Sequence, residues 1–173
     1  IMLLDDGRIR LKVDEVLESE VHCTVLVGGK LSSRKGINRL GGGLSAGALT
    51  DKDVSDIESF DAINPDFVAL SFVGSADDID RAKDLLNNIN INPSIIAKIE
   101  RAEVVSDTDL LDSILEATSG VMVARGDLGV EVGDAQLIGI QKDIISRARK
   151  MNRVVITATQ MMESMINNSF PTR

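Results

Sequence analysis

The feature of this sequence that most constrains its fold is the alternation of apolar strands and helices after residue 50. Four short apolar segments occur in the stretches PDFVALSFV, PSIIAKIE, GVMVARGD and RVVITATQ, and helical stretches separate them. Nearly continuous apolar strands that alternate with helices predict a parallel sheet covered on its faces. Either a doubly wound sheet or a barrel fits this pattern.

The helical stretches have recognisable starts and apolar faces. TDKDVSDIESF follows a candidate N-cap at Thr50, and SADDIDRAKDLLNN follows one at Ser75. DTDLLDSILEA is the next predicted helix. AQLIGIQKDIISRARKM has an apolar stripe at Leu137, Ile140, Ile144 and Ala148. MMESMIN is predicted to open one more helix.

The first 40 residues predict β-structure instead. RIRLKVDEV alternates apolar and polar residues, VHCTVLVGG is a second strand, and Asp6-Gly7 suits a tight hairpin. The glycine-rich KGINRLGGGLSAG is interpreted as a linker. We therefore expect a partial β-rich domain over residues 1–44 and an α/β domain over residues 45–173.

Composition narrows the classes of partner and compartment. The 173 residues have a net charge of −8, no Trp or Tyr, and a single cysteine, Cys23. The acidic balance disfavours a nucleic-acid or anionic-membrane partner. The lone cysteine allows no internal disulfide and suits a cytoplasmic protein. Both ends look interrupted, so we expect the chain to be an internal fragment.

Polar side chains follow each of the four apolar strands. They are Ser71, then Lys98 and Glu100, then Arg125 and Asp127, then Thr159 and Gln160. Polar groups at successive strand ends favour part of a (β/α)8 barrel, whose active site forms at that rim. Four strands are half of such a barrel.

Lys98 and Glu100 are two residues apart, so they share one face of their strand. A simple salt bridge is one interpretation. A second interpretation is a magnesium site, because Asp127 lies at the corresponding place one βα unit later. One or two carboxylates with substrate phosphate commonly hold Mg²⁺. A neighbouring lysine could neutralise a phosphoryl group. Gly126 would let a ligand approach the backbone closely.

Together these segments resemble pyruvate kinase. The stretches that carry the resemblance are LLDDGRIRLKV, GGKLSSRKGIN, ALTDKD, VALSFV, IIAKIE, GVMVARGDLGVE, IQKDIISRA and VVITATQMMESM with the trailing PTR. They cover nearly the whole chain, and GKLSSRKGINRLGGGLSA looks most like a bacterial form. The resemblance implies the later part of a small β-barrel lid domain, followed by about the third to sixth βα units of a TIM barrel.

The resemblance also implies an activity and its site. The reaction would transfer the phosphoryl group of phosphoenolpyruvate to ADP, giving pyruvate and ATP, with Mg²⁺ (or Mn²⁺) and K⁺. Glu100 and Asp127 match metal ligands. Lys98 matches a catalytic lysine, and Thr159 a catalytic threonine beside the substrate. Gly126 with Asp127 matches the substrate-carboxylate cradle. Ser71 matches a serine near the monovalent cation, and Lys35 a nucleotide-binding lysine.

The chain departs from the family pattern at Gly74, where arginine is usual, and at Gly47 and Ser169, where proline is usual. The family's first two and last two barrel units are not represented. We therefore expect the isolated chain to be nearly inactive and to self-associate, whereas the resemblance implies a homotetrameric parent. Two alternatives remain: a Mg²⁺-dependent aldolase or lyase barrel acting on pyruvate-like ketoacids, and a non-catalytic scaffold module.

Overall fold

The computed structural model describes residues 1–5, 7–33, 35–43, 47–159 and 161–171. Its strands are β1 (Met2–Leu4), β2 (Ile9–Val16), β3 (Val21–Val27), β4 (Ile37–Arg39), β5 (Phe67–Leu70), β6 (Ser94–Ile99), β7 (Gly120–Ala124) and β8 (Val154–Ala158). Its α-helices are α1 (Asp51–Ile57), α2 (Phe60–Ile63), α3 (Ala76–Asn88), α4 (Ala102–Ser106), α5 (Thr108–Ala117), α6 (Arg125–Val132) and α7 (Asp134–Lys150). A 3₁₀ helix spans Glu163–Ile166.

The first four strands form an antiparallel sheet with the order β3-β2-β1-β4. Strand β2 alternates as its sequence predicts: Ile9 is buried, Leu11 and Val13 are half-buried, and the residues between them are exposed. The interpretation of residues 35–47 as a linker is wrong for β4, which pairs with β1 and buries Asn38. Three residues are too few for a periodic pattern, and pairing with β1 decides their conformation.

The other four strands form a parallel sheet in which consecutive strands are neighbours, β5-β6-β7-β8. The amphipathic helices α3, α5 and α7 bury their apolar stripes against one face of this sheet. The helical side of the core includes Ile79, Leu86, Leu111, Ile114, Leu115, Leu137 and Ile144. The sheet side includes Ile95, Ala97, Ile99, Val121 and Val123. The predicted parallel sheet with helices between its strands is therefore confirmed.

The opposite face of the parallel sheet is apolar and open. A cavity of about 340 Å³ lies on it, lined by Phe67, Ala69, Ile96, Met122, Val154 and Ile156. These residues alternate with those that face the helices, as the period of a strand requires. Lys98 is two residues after Ile96 in β6 and therefore lies on the same face of the sheet. The open face thus continues to the polar side chains at the carboxyl ends of the strands.

Three sequence predictions concern residues at the edges of the described ranges. The Asp6 part of the predicted hairpin, the proposed boundary between residues 44 and 45, and Gln160 all lie outside the described residues.

The predicted helix in MMESMIN is a 3₁₀ helix instead. It follows Met162, whose φ of 58° is left-handed and incompatible with continuing an α-helix. Among the helices described, none is long and apolar enough to cross a membrane.

Candidate active site

Lys98 and Glu100 form an ion pair at the carboxyl end of β6. Lys98 Nζ lies 2.7 Å from Glu100 Oε1, and it donates a hydrogen bond of 2.9 Å to Ser71 Oγ. The parallel register explains the second contact, because Leu70 pairs with Ala97 and the next residues are therefore side by side. The structure thus brings together three of the predicted site residues from two adjacent strands.

The second carboxylate oxygen of Glu100 is held by the backbone after β5. Phe72 N–H donates to Glu100 Oε2 at 2.6 Å, and Phe72 has a left-handed φ of 52°. The Phe72 carbonyl accepts a hydrogen bond of 2.7 Å from Arg101 Nε. Glu100 and Arg101, the two residues after β6, therefore bind the backbone N–H and the carbonyl of Phe72. These hydrogen bonds stabilise a backbone conformation that is uncommon for a bulky residue.

The carboxyl of Glu100 is completely buried. Burial raises the pKa of Glu100 above its usual range, and the Lys98 ammonium and the Phe72 N–H oppose this shift. The nearby charge of Asp127 raises the pKa further. Burial disfavours an ionised carboxylate unless positive charge is close, and the Lys98 ammonium supplies that charge at Glu100.

The third part of the site is the start of α6. Asp127 lies in the first turn of this helix and is half-buried. Gly126 N–H donates a hydrogen bond of 3.2 Å to Thr159 Oγ1, which joins α6 to the residue after β8. Thr159 has a φ of 63°, an outlier for a β-branched residue. Helix α6 therefore begins directly after the last residue of β7.

The residues present fit a divalent cation at Glu100. Glu100 Oε1 is buried and in ionic contact with Lys98, but it accepts no hydrogen bond of good geometry from the residues described. The oxygen therefore keeps lone pairs for a cation. No group of three or more His, Cys, Asp or Glu in the described ranges has a metal-binding arrangement. Glu100 and Asp127 supply two carboxylates at these strand ends, a number usual for Mg²⁺ bound with phosphate and water.

Lys35 lies beside the antiparallel sheet, where its ammonium pairs with Asp5 Oδ1 at 2.6 Å. The hydrogen bond from Lys35 lowers the pKa of the Asp5 carboxyl. Asp5 is buried and has a left-handed φ of 51°, so the pair is fixed to the turn after β1. The predicted nucleotide-binding role of Lys35 stays a prediction.

Two charged residues at this site were not predicted from the sequence. Arg101 has a side chain only 13% exposed, and its Nη1 lies 3.5 Å from the place of a Cβ at Gly74. A guanidinium therefore lies beside position 74, where the family pattern had suggested an arginine. Glu131 is 6% exposed. Its spacing of four residues from Asp127 was the available signal, since both residues share one face of a helix.

Comparison with known proteins identifies the relatives of this chain. The family model for the pyruvate kinase barrel domain matches residues 1–173. The chain is 56% identical over its full length to the pyruvate kinase of Buchnera aphidicola subsp. Schizaphis graminum, and 56% identical to pyruvate kinase II of Salmonella typhimurium. It is 43% identical, over 99% of its length, to a pyruvate kinase of Mycobacterium tuberculosis.

The match covers almost all of this chain but a smaller part of each relative. The chain spans 36% of the length of each of these three proteins. Within that span the family model includes both sheets, the ion pair after β6 and the start of α6. The chain therefore belongs to the pyruvate kinase barrel-domain family.

Proposed function

We propose that this chain supplies the divalent-metal half of a pyruvate kinase active site. The whole protein would transfer the phosphoryl group of phosphoenolpyruvate to ADP, giving pyruvate and ATP in the cytoplasm. The observation that carries the proposal is the buried Glu100, whose oxygens meet the Lys98 ammonium and the Phe72 amide. Family membership supports this reaction over the lyase alternative.

The proposed architecture is part of a (β/α)8 barrel with part of a lid domain. The parallel strands β5 to β8 would be about the third to sixth strands, because consecutive strands are neighbours throughout. The antiparallel sheet would belong to the lid, with the division near residues 44 and 45. The active site would then lie at the carboxyl ends of the strands, as in other barrels of this type.

Each proposed residue has a task that follows from its position. Glu100 and Asp127 would hold Mg²⁺ or Mn²⁺, which when bound neutralises charge on the phosphoryl oxygens. Lys98, held by Ser71 and Glu100, would place its ammonium against the transferring phosphoryl group. Ser71 would also lie near K⁺. Gly126 and the Asp127 amide would bind the substrate carboxylate at the start of α6.

Phosphoryl transfer leaves the enolate of pyruvate, which must take a proton on carbon. Thr159 Oγ1 accepts a hydrogen bond from Gly126 N–H, and its own hydroxyl proton stays available for donation. We assign Thr159 to this proton transfer and Lys35 to the nucleotide phosphates. The parent protein would be a homotetramer. Because catalysis here needs complete positioning of both substrates, the isolated chain would be nearly inactive.

Manganese binding to the chain tests the metal site. Free Mn²⁺ would be counted by electron paramagnetic resonance for the wild type, Glu100→Gln and Asp127→Asn, with the exposed Glu116→Gln as the matched control. We expect each site variant to weaken Mn²⁺ binding by about tenfold or more, and the control to bind like the wild type. Unchanged binding in both site variants would refute the metal assignment.

Phosphoryl transfer itself is tested in the full-length protein. Lys98→Met is expected to lower kcat by about 10²–10³-fold, because a preorganised charge at the phosphoryl group is lost. Pyruvate formation would be followed by a coupled assay. An intact rate in Lys98→Met would favour a non-catalytic module, and a normal rate for the isolated chain would contradict its expected inactivity.

A further inference from the structure

Glu131 is a buried carboxylate that the proposed chemistry does not use. It lies in α6 and is 6% exposed. Its Oε2 accepts a hydrogen bond of 2.7 Å from Ala102 N–H, the first residue of α4. Arg101, the N-cap of α4, makes no side-chain capping hydrogen bond. The Ala102 amide has no hydrogen-bond partner within α4, as is usual for the first residues of a helix. The side chain of a residue in another helix accepts its hydrogen bond instead.

The two ends of this hydrogen bond are close in sequence to the two proposed metal ligands. Ala102 is two residues after Glu100, and Glu131 is four residues after Asp127 on the same face of α6. The bond thus ties the segment carrying one ligand to the helix carrying the other.

The backbone of Glu131 makes a second connection. Its carbonyl, in the last turn of α6, accepts a hydrogen bond of 3.0 Å from Gly41 N–H. Gly42 lies over the side chain: a Cβ at this position would be 3.2 Å from Glu131 Oε2 and would collide with Glu103 Oε2. The loop after β4 therefore packs on the same junction and excludes solvent from it.

We propose that Glu131 is a positioning residue that fixes the spacing between Glu100 and Asp127 for a shared divalent cation. This inference rests on the metal site of the proposed function. Glu131 acts through the backbone of Ala102 and has no contact with the reacting groups. Partners that orient metal ligands are commonly worth 10–100-fold in metal affinity, which sets the expected size of the effect.

Two variants separate the hydrogen bond from the charge. Glu131→Gln keeps an oxygen that can accept from Ala102 N–H, whereas Glu131→Leu has a similar volume and no acceptor. We expect Glu131→Leu to weaken Mn²⁺ binding by about 10–100-fold and Glu131→Gln to weaken it by about threefold or less. Glu116→Leu is the exposed control. Binding would be measured by electron paramagnetic resonance on the chain.

Two further measurements keep the test decisive. Hydrogen exchange of the Ala102 amide should be slow in the wild type and Glu131→Gln, and fast in Glu131→Leu. If Glu131→Leu does not fold, Ala102→Pro removes the same donor at a first helical position, where proline is tolerated. Arg101 already has extended backbone, with φ −102° and ψ 135°, which suits a residue before proline.

The outcomes distinguish this inference from the proposed function. A wild-type chain that binds Mn²⁺, together with a folded Glu131→Leu or Ala102→Pro that binds it equally well, would overturn the positioning role alone. Equal losses in Glu131→Gln and Glu131→Leu would also overturn it, since charge rather than position would then be responsible. A wild-type chain that binds no Mn²⁺ would overturn the metal site and this inference together.

Discussion

At the scale of single residues, two of the strand ends that form the site have an uncommon backbone conformation. Phe72, after β5, and Thr159, after β8, both have left-handed φ values. Such conformations cost about 1–3 kcal/mol each and persist where neighbouring groups hold them. Here Glu100 and Arg101 hold Phe72, and Gly126 holds Thr159. These two strained residues therefore connect neighbouring strand ends of the site.

Gly120, the first residue of β7, has no room for a side chain. A Cβ there would lie 2.9 Å from both Ile96 Cδ1 and the Val154 carbonyl oxygen. We expect Gly120→Ala to lower the free energy of unfolding by about 1–3 kcal/mol, because the sheet backbone must shift. Urea unfolding followed by circular dichroism measures this change.

Gly139 provides the matched control for Gly120. It is exposed within α7, and a Cβ there would meet nothing within 4 Å. Gly139→Ala is expected to raise the free energy of unfolding by about 0.5–1 kcal/mol, since alanine is the better helix former. A Gly120→Ala chain as stable as the wild type would contradict the packing described for β7.

At the scale of elements, the start of a helix shows which structural features local sequence signals could predict. Thr50 was predicted as an N-cap, and its Oγ1 accepts a hydrogen bond of 3.2 Å from Asp53 N–H. Asp53 Oδ2 in return accepts from Thr50 N–H at 2.8 Å, which completes a capping box. Local interactions of this kind involve neighbours in sequence. They could therefore be predicted, whereas the contact between Glu131 and α4 could not.

The capping box of α1 should make stability depend on pH. Hydrogen bonds from the Thr50 side chain and backbone lower the pKa of Asp53. Because the folded pKa lies below that of the unfolded chain, the stabilisation is complete above about pH 4 and is lost as pH falls through the folded pKa. Wild type is expected to be more stable than Asp53→Asn at pH 7, and the difference to shrink towards pH 3.

Urea titrations at several pH values measure this difference. The exposed Asp61→Asn provides the control, because it makes the same chemical change outside this capping box. A constant difference between wild type and Asp53→Asn from pH 7 to pH 3 would show that the ionised carboxylate contributes nothing to the cap.

At the scale of the whole molecule, the parallel sheet has one covered and one open face. Helices bury the first, while Phe67 and Val154 on the second are 64% and 60% exposed. The strands β5 and β8 are the edges of the sheet. Parallel sheets are normally covered on both faces, and open edges with apolar surface promote association. The chain alone leaves both features exposed.

We therefore expect the 18.6 kDa chain to sediment as a dimer or larger species. Ile156→Lys places a charge on the open face and should shift the chain towards monomer, because burying an unpaired ammonium is unfavourable. Ile138, an exposed apolar residue of α7, provides the control Ile138→Lys. Analytical ultracentrifugation distinguishes the species, and a monomeric wild type would contradict the expectation.

The sequence by itself determined the alternation of strands and helices after residue 50, the parallel sheet and the residues with reactive side chains. These follow from hydrophobic periodicity, local capping and the spacing of Lys98 and Glu100, all of which are interactions between near neighbours in sequence. Only the tertiary structure decided that β4 pairs with β1, that Arg101 and Glu100 hold Phe72, and that Glu131 joins α6 to α4. Those contacts join residues 28 positions apart or more, and no local pattern encodes which partner fills a buried hydrogen-bonding position.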